Sequence, residues 1–366
     1  MAERLRVLVA GWLNSPHVAA WAELVTSAGH DVHIAGRLAP GWPELDLPVP
    51  AHRLPAELPP PVRGFAMSRA LGRVVQAVGP DLVHAHYLPE YGWMAAREGL
   101  RPLISSAWGS DVLSVRGINR PRARLALKAS SLVFADSAHL ARAVRAFARS
   151  DVPVEVVRWS LDLETFAPGD KAAAREALGL PVDEPLVVSP RGLKRVYNPE
   201  LVLDAFARVR AGHPAARLLL KHPLAETPAA VGAAIERLGL EESVTVLGNL
   251  SAERLPDVYR AADVVVSIAS SDSSPRSVWE ALACGSPVVV SDLSWAREEL
   301  APGGQALLVA IDPAAVAEAV SRVLDDSSLA ERLGKSGREL AAAELDPAAC
   351  AARVDALYTS VVGGSA

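Results

Sequence analysis

The chain has 366 residues, half of them hydrophobic and 22% charged, which is enough for two or three domains with cores of their own and argues against extensive disorder. Thirty-seven Lys+Arg against 42 Asp+Glu leave a net charge of −5, which disfavours a polyanion-binding protein.

Short apolar runs rich in Val, Leu and Ile alternate with Ala/Leu/Arg stretches of helical period. In chain order the runs are LRVLVA (from Leu5), DLVHAH (Asp81), PLISSA (Pro102), SLVFAD (Ser131), PLVVSP (Pro185), ARLLLK (Ala216), SVTVLG (Ser243), DVVVSI (Asp263) and PVVVSD (Pro287). Strands apolar along their whole length are covered on both faces, so the pattern predicts doubly wound α/β with parallel sheets. Ser137 reads as a helix N-cap, and Asn198-Pro199 as a cap and first-turn proline of a helix ended by Gly212. The Pro-rich segment 40–61 reads as a surface loop.

The rhythm restarts part-way. One strand set fills residues 5–158, a Pro-, Gly- and charge-rich stretch interrupts it, and a second set opens at Leu186. The expected division is an N-terminal Rossmann-like domain over 1–165, a connector over 166–185, a C-terminal Rossmann-like domain over 186–345, and a last helix over 346–366 that packs back on the first domain. Residues 1–165 carry 18 basic and 15 acidic groups, hence +3, and the remainder 19 and 27, hence −8. The lobes therefore do different jobs, and two such lobes predict a crevice bordered by the carboxyl ends of both sheets. Cys284 and Cys350 suggest buried thiols in a reducing compartment. With no apolar stretch near the length of a membrane span, the expected location is cytoplasmic or at most membrane-peripheral.

The most informative segment is SSDSSPRSVWEALACGSPVVVSD, residues 270–292. Strand DVVVSI delivers the chain into a Ser-rich turn, Ser274-Pro275 reads as the start of a helix, and Gly285 ends it. A helix start at a sheet's carboxyl edge offers free N–H groups and a positive dipole end to a phosphate, here the amides of Pro275, Arg276 and Ser277. A proline has no N–H, so two of those three positions can donate. Such a contact adds only about 0.3–1 kcal/mol at exposed sites, so cations elsewhere must share the load. Asp272 precedes the helix and Glu280 lies inside it, one acceptor on each side of a bound phosphate, suited to a sugar ring and to a ribose.

This segment resembles the retaining family 4 glycosyltransferases of the GT-B fold, whose second lobe carries two acids separated by seven residues and followed by a run like EALACGSPVVVSD. The likeness extends from LRVLVAGWLNSPHVAAWAELVTSAGHDV through PDLVHAHYLPEYGW to GGQALLVAIDPAAVAEAVSRVL. It implies that Asp272, an Asp where Glu is commoner, holds the donor sugar and Glu280 the ribose. In SPRGLKRVYNPE the family has an Arg and, five or six residues on, a Lys, both on the donor diphosphate. Arg191 matches the first; the second position falls at Val196 or Tyr197, so Lys194, Arg195 or Lys221 is expected to supply the missing charge. Gly248-Asn249-Leu250 corresponds to backbone that meets the nucleobase.

In the first lobe, the Gly11–Ser15 loop suits close backbone approach to an acceptor, with Gly11 and Asn14 as candidates; it is not a dinucleotide fingerprint. His17 and Trp21, one helical turn apart, face either the crevice or a packed aromatic edge. Along DLVHAH, His84 and His86 are expected on opposite faces, His84 in the core and His86 toward the crevice. In SSAWGSDVLS, many relatives place His where this chain has Trp108, which stacks on a sugar instead of moving a proton; Ser110 and Asp111 complete the candidates, Asp111 either to bind a hydroxyl or to orient the loop. Arg116 to Lys128, five basic residues without an acid, reads either as a solvated helix face or as a surface for an acceptor phosphate or an anionic membrane.

The expected activity is transfer of a sugar from a UDP- or GDP-sugar to a hydroxyl acceptor (small molecule, lipid or glycan) in glycoconjugate, polysaccharide or natural-product synthesis. The resemblance implies retention of configuration, with protein cations in place of a metal and no cofactor beyond the nucleotide-sugar; Asp162-Leu163-Glu164 is read as structural. Three rivals are a sugar-nucleotide epimerase of the same fold, a glycogen-synthase-like or phosphorylase-like enzyme, and a non-catalytic sugar-binding protein. Monomer and homodimer both stay open.

Overall fold

The computed structural model describes residues 4–59, 62–149, 151–222, 227–248 and 250–364. The chain divides into two compact units, Met1–Ser160 with Pro347–Ala366, and Leu161–Asp346.

The first unit is built on seven parallel strands: β1 (Arg6–Ala10), β2 (Asp31–Gly36), β3 (Ala51–Arg53), β4 (Leu82–His86), β5 (Leu103–Ser106), β6 (Leu132–Ala135) and β7 (Val154–Val156), in the order β3-β2-β1-β4-β5-β6-β7. Alternation along β1 explains why both faces are covered. Val7 and Val9 enter one core with Val18, Trp21 and Tyr358, whereas Leu8 and Ala10 enter another with Met67, Leu71 and Met94. The helix Pro347–Gly363 supplies Val354 and Tyr358 to the first of these, so the last segment folds with the unit that begins the chain.

The second unit has six parallel strands: β8 (Leu186–Ser189), β9 (Arg217–Lys221), β10 (Val244–Leu247), β11 (Val264–Ser267), β12 (Val288–Ser291) and β13 (Leu307–Val309), in the order β10-β9-β8-β11-β12-β13. Again each strand serves two cores, Val188, Val265 and Val290 on one side, Val187, Val266 and Val289 on the other. The stretch expected as a connector, 166–185, folds into this unit. Its helix Lys171–Ala177 buries Arg175, whose guanidinium donates to Asp263 at 2.6 Å and to the carbonyl of Ala261 at 2.9 Å. Asp162 turns its carboxylate on the N–H groups of Glu164 and Thr165, 3.0 Å each.

Four strands lie outside the apolar runs. β3, β7 and β13 have only three residues each and stand at sheet edges, and β2 is interrupted by His33 on its half-buried positions. The Pro-rich segment is accordingly not loop throughout, since β3 pairs with β2 through Ala51 and Arg53. Ser137 caps as expected, its hydroxyl accepting the N–H of Leu140 at 3.1 Å. Asn198 does not: it stands before Pro199 in the left-handed region (φ 48°) and sends its side chain elsewhere. Gly285, at φ 73°, ends the helix Arg276–Ala283. Among the described residues, no helix is long and apolar enough to cross a membrane.

Glycine spacing tests this packing. A Cβ on Gly36 would stand 1.6 Å from the carbonyl oxygen of Gly11, which is backbone and cannot swing away. One on Gly212, at the end of the helix Pro199–Gly212, meets nothing within 4 Å. Gly36→Ala is expected to lower stability by more than about 3 kcal/mol, and Gly212→Ala to raise it by about 0.5 kcal/mol, in chemical denaturation.

Candidate active site

In the second unit the strand order reverses between β8 and β11, so their following loops diverge at the carboxyl edge and leave the place where open α/β sheets hold ligands. Those two loops carry Arg191 and Asp272. The sequence forces them outward because Leu186–Ser189 and Val264–Ser267 are buried along their whole lengths, and polar chemistry begins only where the strands stop. Hydrogen bonds then lock the loops together. Ser270 N–H donates to the carbonyl of Val196 at 2.8 Å, Asn198 Nδ2 donates to Ser270 Oγ at 2.9 Å, and Ala269 N–H donates to Ser291 Oγ at 2.8 Å. This is where the side chain of Asn198 goes instead of capping.

Arg191 reaches the start of the helix Arg276–Ala283. Its Nη2 donates to Asp272 Oδ2 at 2.7 Å, its Nη1 to Ser277 Oγ at 3.0 Å, and the guanidinium lies 4.2 Å from the ring centre of Tyr197. Tyr197, one of the two positions expected for a second cation, serves as a platform for the first. Burial pushes the Asp272 carboxyl up, while Arg191 and the Ser273 N–H pull it back. The N–H groups of Arg276 and Ser277 have no intramolecular acceptor among the described residues, and both residues stay half-buried. The helix begins one residue later than expected, with Pro275 in the cap position. Ser274 does not cap it; the Ser274 hydroxyl accepts from Trp279 Nε1 at 2.8 Å and donates to Glu299 at 3.2 Å.

Glu280 is buried, and each oxygen is engaged: Oε2 accepts from the Tyr259 hydroxyl at 2.5 Å and Oε1 from Arg276 Nε at 3.0 Å. Arg276 keeps Nη1 without a partner among the described residues. Lys221, at the end of β9, is half-buried; burial pushes its amine down and the Glu280 carboxylate pulls it back up. Lys194 and Arg195 are exposed and form no ion pair among the described residues. Gly248 follows β10 with open space around it, Leu250 packs on the core, and Asn249 lies outside the described residues. Tyr259, Tyr197, Asn198 and Ser270 were not among the expected site residues. Nothing local marks Tyr259, which stands 21 positions before its partner Glu280.

The family described as Glycosyl transferases group 1 matches residues 170–340, and that described as Glycosyl transferase 4-like matches residues 6–137. A D-inositol 3-phosphate glycosyltransferase 2 of Catenulispora acidiphila is 31% identical over 303 residues, 77% of this chain and 71% of that protein. The chain belongs to the group 1 glycosyltransferases. A D-inositol 3-phosphate glycosyltransferase of Segniliparus rotundus is 32% identical over 268 residues, 69% of this chain and 56% of that protein. By fold, the chain is similar to a sucrose-phosphate synthase from Thermosynechococcus elongatus (TM-score 0.86, 22% identity, 99% of this chain and 100% of that one). It is also similar to Anabaena HepE in complex with UDP-glucose (TM-score 0.82, 18% identity, 98% and 100%). These are GT-B folds, as the sequence resemblance implies.

In this glycosyltransferase the first unit has its own reversal, between β1 and β4, and there the structure corrects several expectations. Gly11 makes its close approach to a helix, because a Cβ there would meet Val18 Cγ2 at 2.6 Å. Asn14 is buried and clamps the chain to Ala39 N–H (2.6 Å) and to the carbonyls of Ala39 (3.0 Å) and Trp42 (2.9 Å). Asp111 is buried and orients its loop, the second of the two roles expected for it: it accepts the N–H groups of Leu88 (3.0 Å) and Trp108 (2.8 Å), and burial pushes it up to about 6. Ser110 is exposed beside the hydroxyl of Tyr87. His84 is a satisfied core residue, bonded to Tyr358 (2.6 Å) and Ser106 (2.8 Å).

His84 and His86 do not face opposite ways. Residues two apart on a strand share a face, and the two rings lie 4.4 Å apart. His86 is fully buried among Trp21, Trp108 and Trp159, and neither ring nitrogen has a partner among the described residues. His17 meets Trp108 at 5.4 Å and Trp159 at 5.3 Å, and Trp21 donates to Tyr358 at 3.0 Å, so the packed aromatic edge is the arrangement found. In the basic stretch, Arg122 lies over Trp93 at 4.3 Å, and Arg120 and Arg124 flank Phe147 at 5.2 and 5.1 Å.

Burial pushes His86 down to about 3 from the ordinary 6.5. The unfolded chain therefore takes up this proton first as pH falls, and the stability His86 contributes is complete above about 6.5 and lost toward 3. Asp111, raised by burial, works in the opposite sense between its ordinary value and about 6. His86→Phe is expected to shrink the stability lost between pH 7 and pH 5 by about 2 kcal/mol, measured by urea denaturation at both values.

Proposed function

We propose that this protein transfers a glycosyl group from a nucleotide-diphosphate sugar to a hydroxyl of a small-molecule acceptor, with retention of anomeric configuration. The observation that carries this reading is Arg191, held against Asp272 and Ser277 beside the two open amides that begin the helix Arg276–Ala283. A similar fold solved with UDP-glucose supports a UDP-sugar as donor, and the names of the inositol phosphate relatives support a small polyhydroxylated ring as acceptor.

In this mechanism the diphosphate settles on the amides of Arg276 and Ser277, and Arg191 exchanges Asp272 for phosphate oxygens. A planar guanidinium suits that exchange, because it binds carboxylate and phosphate with the same fork. Asp272, released, accepts hydroxyls of the donor sugar. Arg276 supplies the second cation through its unpartnered Nη1, while Glu280 fixes the other edge of its guanidinium. Each Glu280 oxygen retains a further lone-pair direction, so a ribose hydroxyl adds to its internal bonds and does not replace them.

As the bond from the anomeric carbon to the phosphate oxygen breaks, negative charge grows on the diphosphate, and the two guanidinium groups and the amides stabilise it more than they stabilise the bound donor. The acceptor oxygen bonds to the anomeric carbon from the same face, and its proton passes to a donor phosphate oxygen. Protein cations carry the neutralising role in this scheme, so the proposal includes no metal.

Arg191→Ala is expected to lower turnover of UDP-sugar about a hundredfold or more and to weaken UDP binding. Coupled detection of UDP release and calorimetry of UDP binding check both; a variant with undiminished turnover would overturn the assigned role.

A further inference from the structure

The carboxyl edge of the first unit's sheet carries a different chemistry. Three loops, the helix Pro16–Ser27 and the π-helix Tyr87–Gly92 bring Trp12, His17, Tyr87, Trp108 and Trp159 together around the fully buried ring of His86. Trp108 stands at the centre, 5.5 Å from Trp12, 6.2 Å from Tyr87 and 5.8 Å from Trp159, with the rings steeply inclined to one another. All five of these rings are half-buried and so keep part of their faces open.

Three observations mark this cluster as built for a ligand. First, the indole N–H groups of Trp12 and Trp108 and both nitrogens of His86 have no partner among the described residues, although they are buried. Buried polar groups are ordinarily bonded, and four such atoms in one cluster point to hydrogen bonds completed from outside. Second, Tyr87 holds a positive φ of 73°, a strained conformation for a bulky residue, where β4 delivers it to the cluster. Third, Asp111 spends both oxygens on the backbone of Leu88 and Trp108, fixing the loops after β4 and β5 to each other.

The cluster contains no lysine, arginine or carboxylate. Arg37 is held bidentate by Glu90 at 2.7 and 3.3 Å, and Arg158 donates to the carbonyl of Asp136 at 3.2 Å. A phosphate dianion here would trade its water for the electron-rich faces of indoles, with no cation among the cluster's own residues to replace it. A ring with C–H faces and peripheral hydroxyls suits the same surface: its faces stack on indole, and its hydroxyls suit the unused indole N–H groups.

We infer that this aromatic platform is the acceptor site and that it selects an uncharged, ring-shaped acceptor over a phosphorylated one. The inference rests on the glycosyl-transfer reading and departs from the acceptor class that the relatives' names suggest.

Nitrophenyl glucoside, and the same glucoside phosphorylated on its primary hydroxyl, make a matched pair of probes for the full chain, read by quenching of tryptophan fluorescence. The neutral member is expected to bind at least about tenfold more tightly, the scale of one good stacked contact. Trp108→Ala, checked by circular dichroism, is expected to lose about that factor with UDP binding unchanged, and Trp108→Arg to reverse the preference by supplying a cation. Equal or tighter binding of the phosphorylated probe, or no saturable binding of the neutral one, overturns the inference; the comparison in the unaltered chain holds even if a variant fails to fold. Failure of UDP to bind the unaltered chain would instead strike the donor reading and leave this comparison standing.

Discussion

The contact between Arg191 and Asp272 is the interaction on which the second unit's chemistry depends. It joins the loops that follow β8 and β11, where the order of the sheet reverses. Both side chains are largely removed from water, at 10% and 17% exposure, so each alone would carry the desolvation cost of an unpaired charge. Paired, they satisfy each other and hold the two loops in register. In the proposed mechanism a phosphate would replace the carboxylate on Arg191 while the carboxylate gains sugar hydroxyls, so that neither charge would be left bare.

The two units show how one topology supports opposite chemistries. Each places a β1-like central strand beside a fourth strand at the reversal, and each sends its next loops to the same edge. In the second unit the segments that follow those strands carry Arg191, Asp272 and Arg276; in the first they carry Trp12 and Tyr87, with His86 ending β4 among tryptophans. The difference is local, because the first half has the more positive charge balance and yet places aromatic rings at its reversal. Of its cations, Arg37 pairs with Glu90, Arg120 flanks Phe147 and Arg122 lies over Trp93. Net charge of a lobe is therefore a poor guide to the charge of its site.

The fold was legible wherever strands are buried on both faces. Runs such as DVVVSI and PVVVSD each hold three consecutive valines and stand out as buried strands, whereas β3, β7 and β13, three residues at sheet edges, leave too little apolar sequence to stand out. Within the site, legibility followed chain distance. The Asp272-to-Glu280 segment is continuous and could be read as a unit, and Arg191 follows directly from a strand end. Tyr259 could not be found, because its bond to Glu280 depends on how the helix Leu255–Arg260 packs. Two errors had simpler causes. The strand period puts His84 and His86 on one face, and serine and asparagine beside a proline have other partners than the helix they precede.

Tyr197 shows how a departure from a family pattern can preserve its physics. A lysine as second cation would bring another positive charge to the diphosphate on a flexible stem that must be ordered each time the donor binds. The ring of Tyr197 brings no charge, but it holds the guanidinium of Arg191 face-on and leaves its edge directed at Asp272 and Ser277. The missing charge is then available from Arg276 at the helix start, where Glu280 and Tyr259 form a buried chain of bonds behind it. Two arginines held rigid by aromatic and carboxylate partners lose less freedom on binding than an arginine and a mobile lysine. The substitution exchanges flexible charge for fixed geometry, and the fold supplies the rest from residues that sequence spacing alone does not connect.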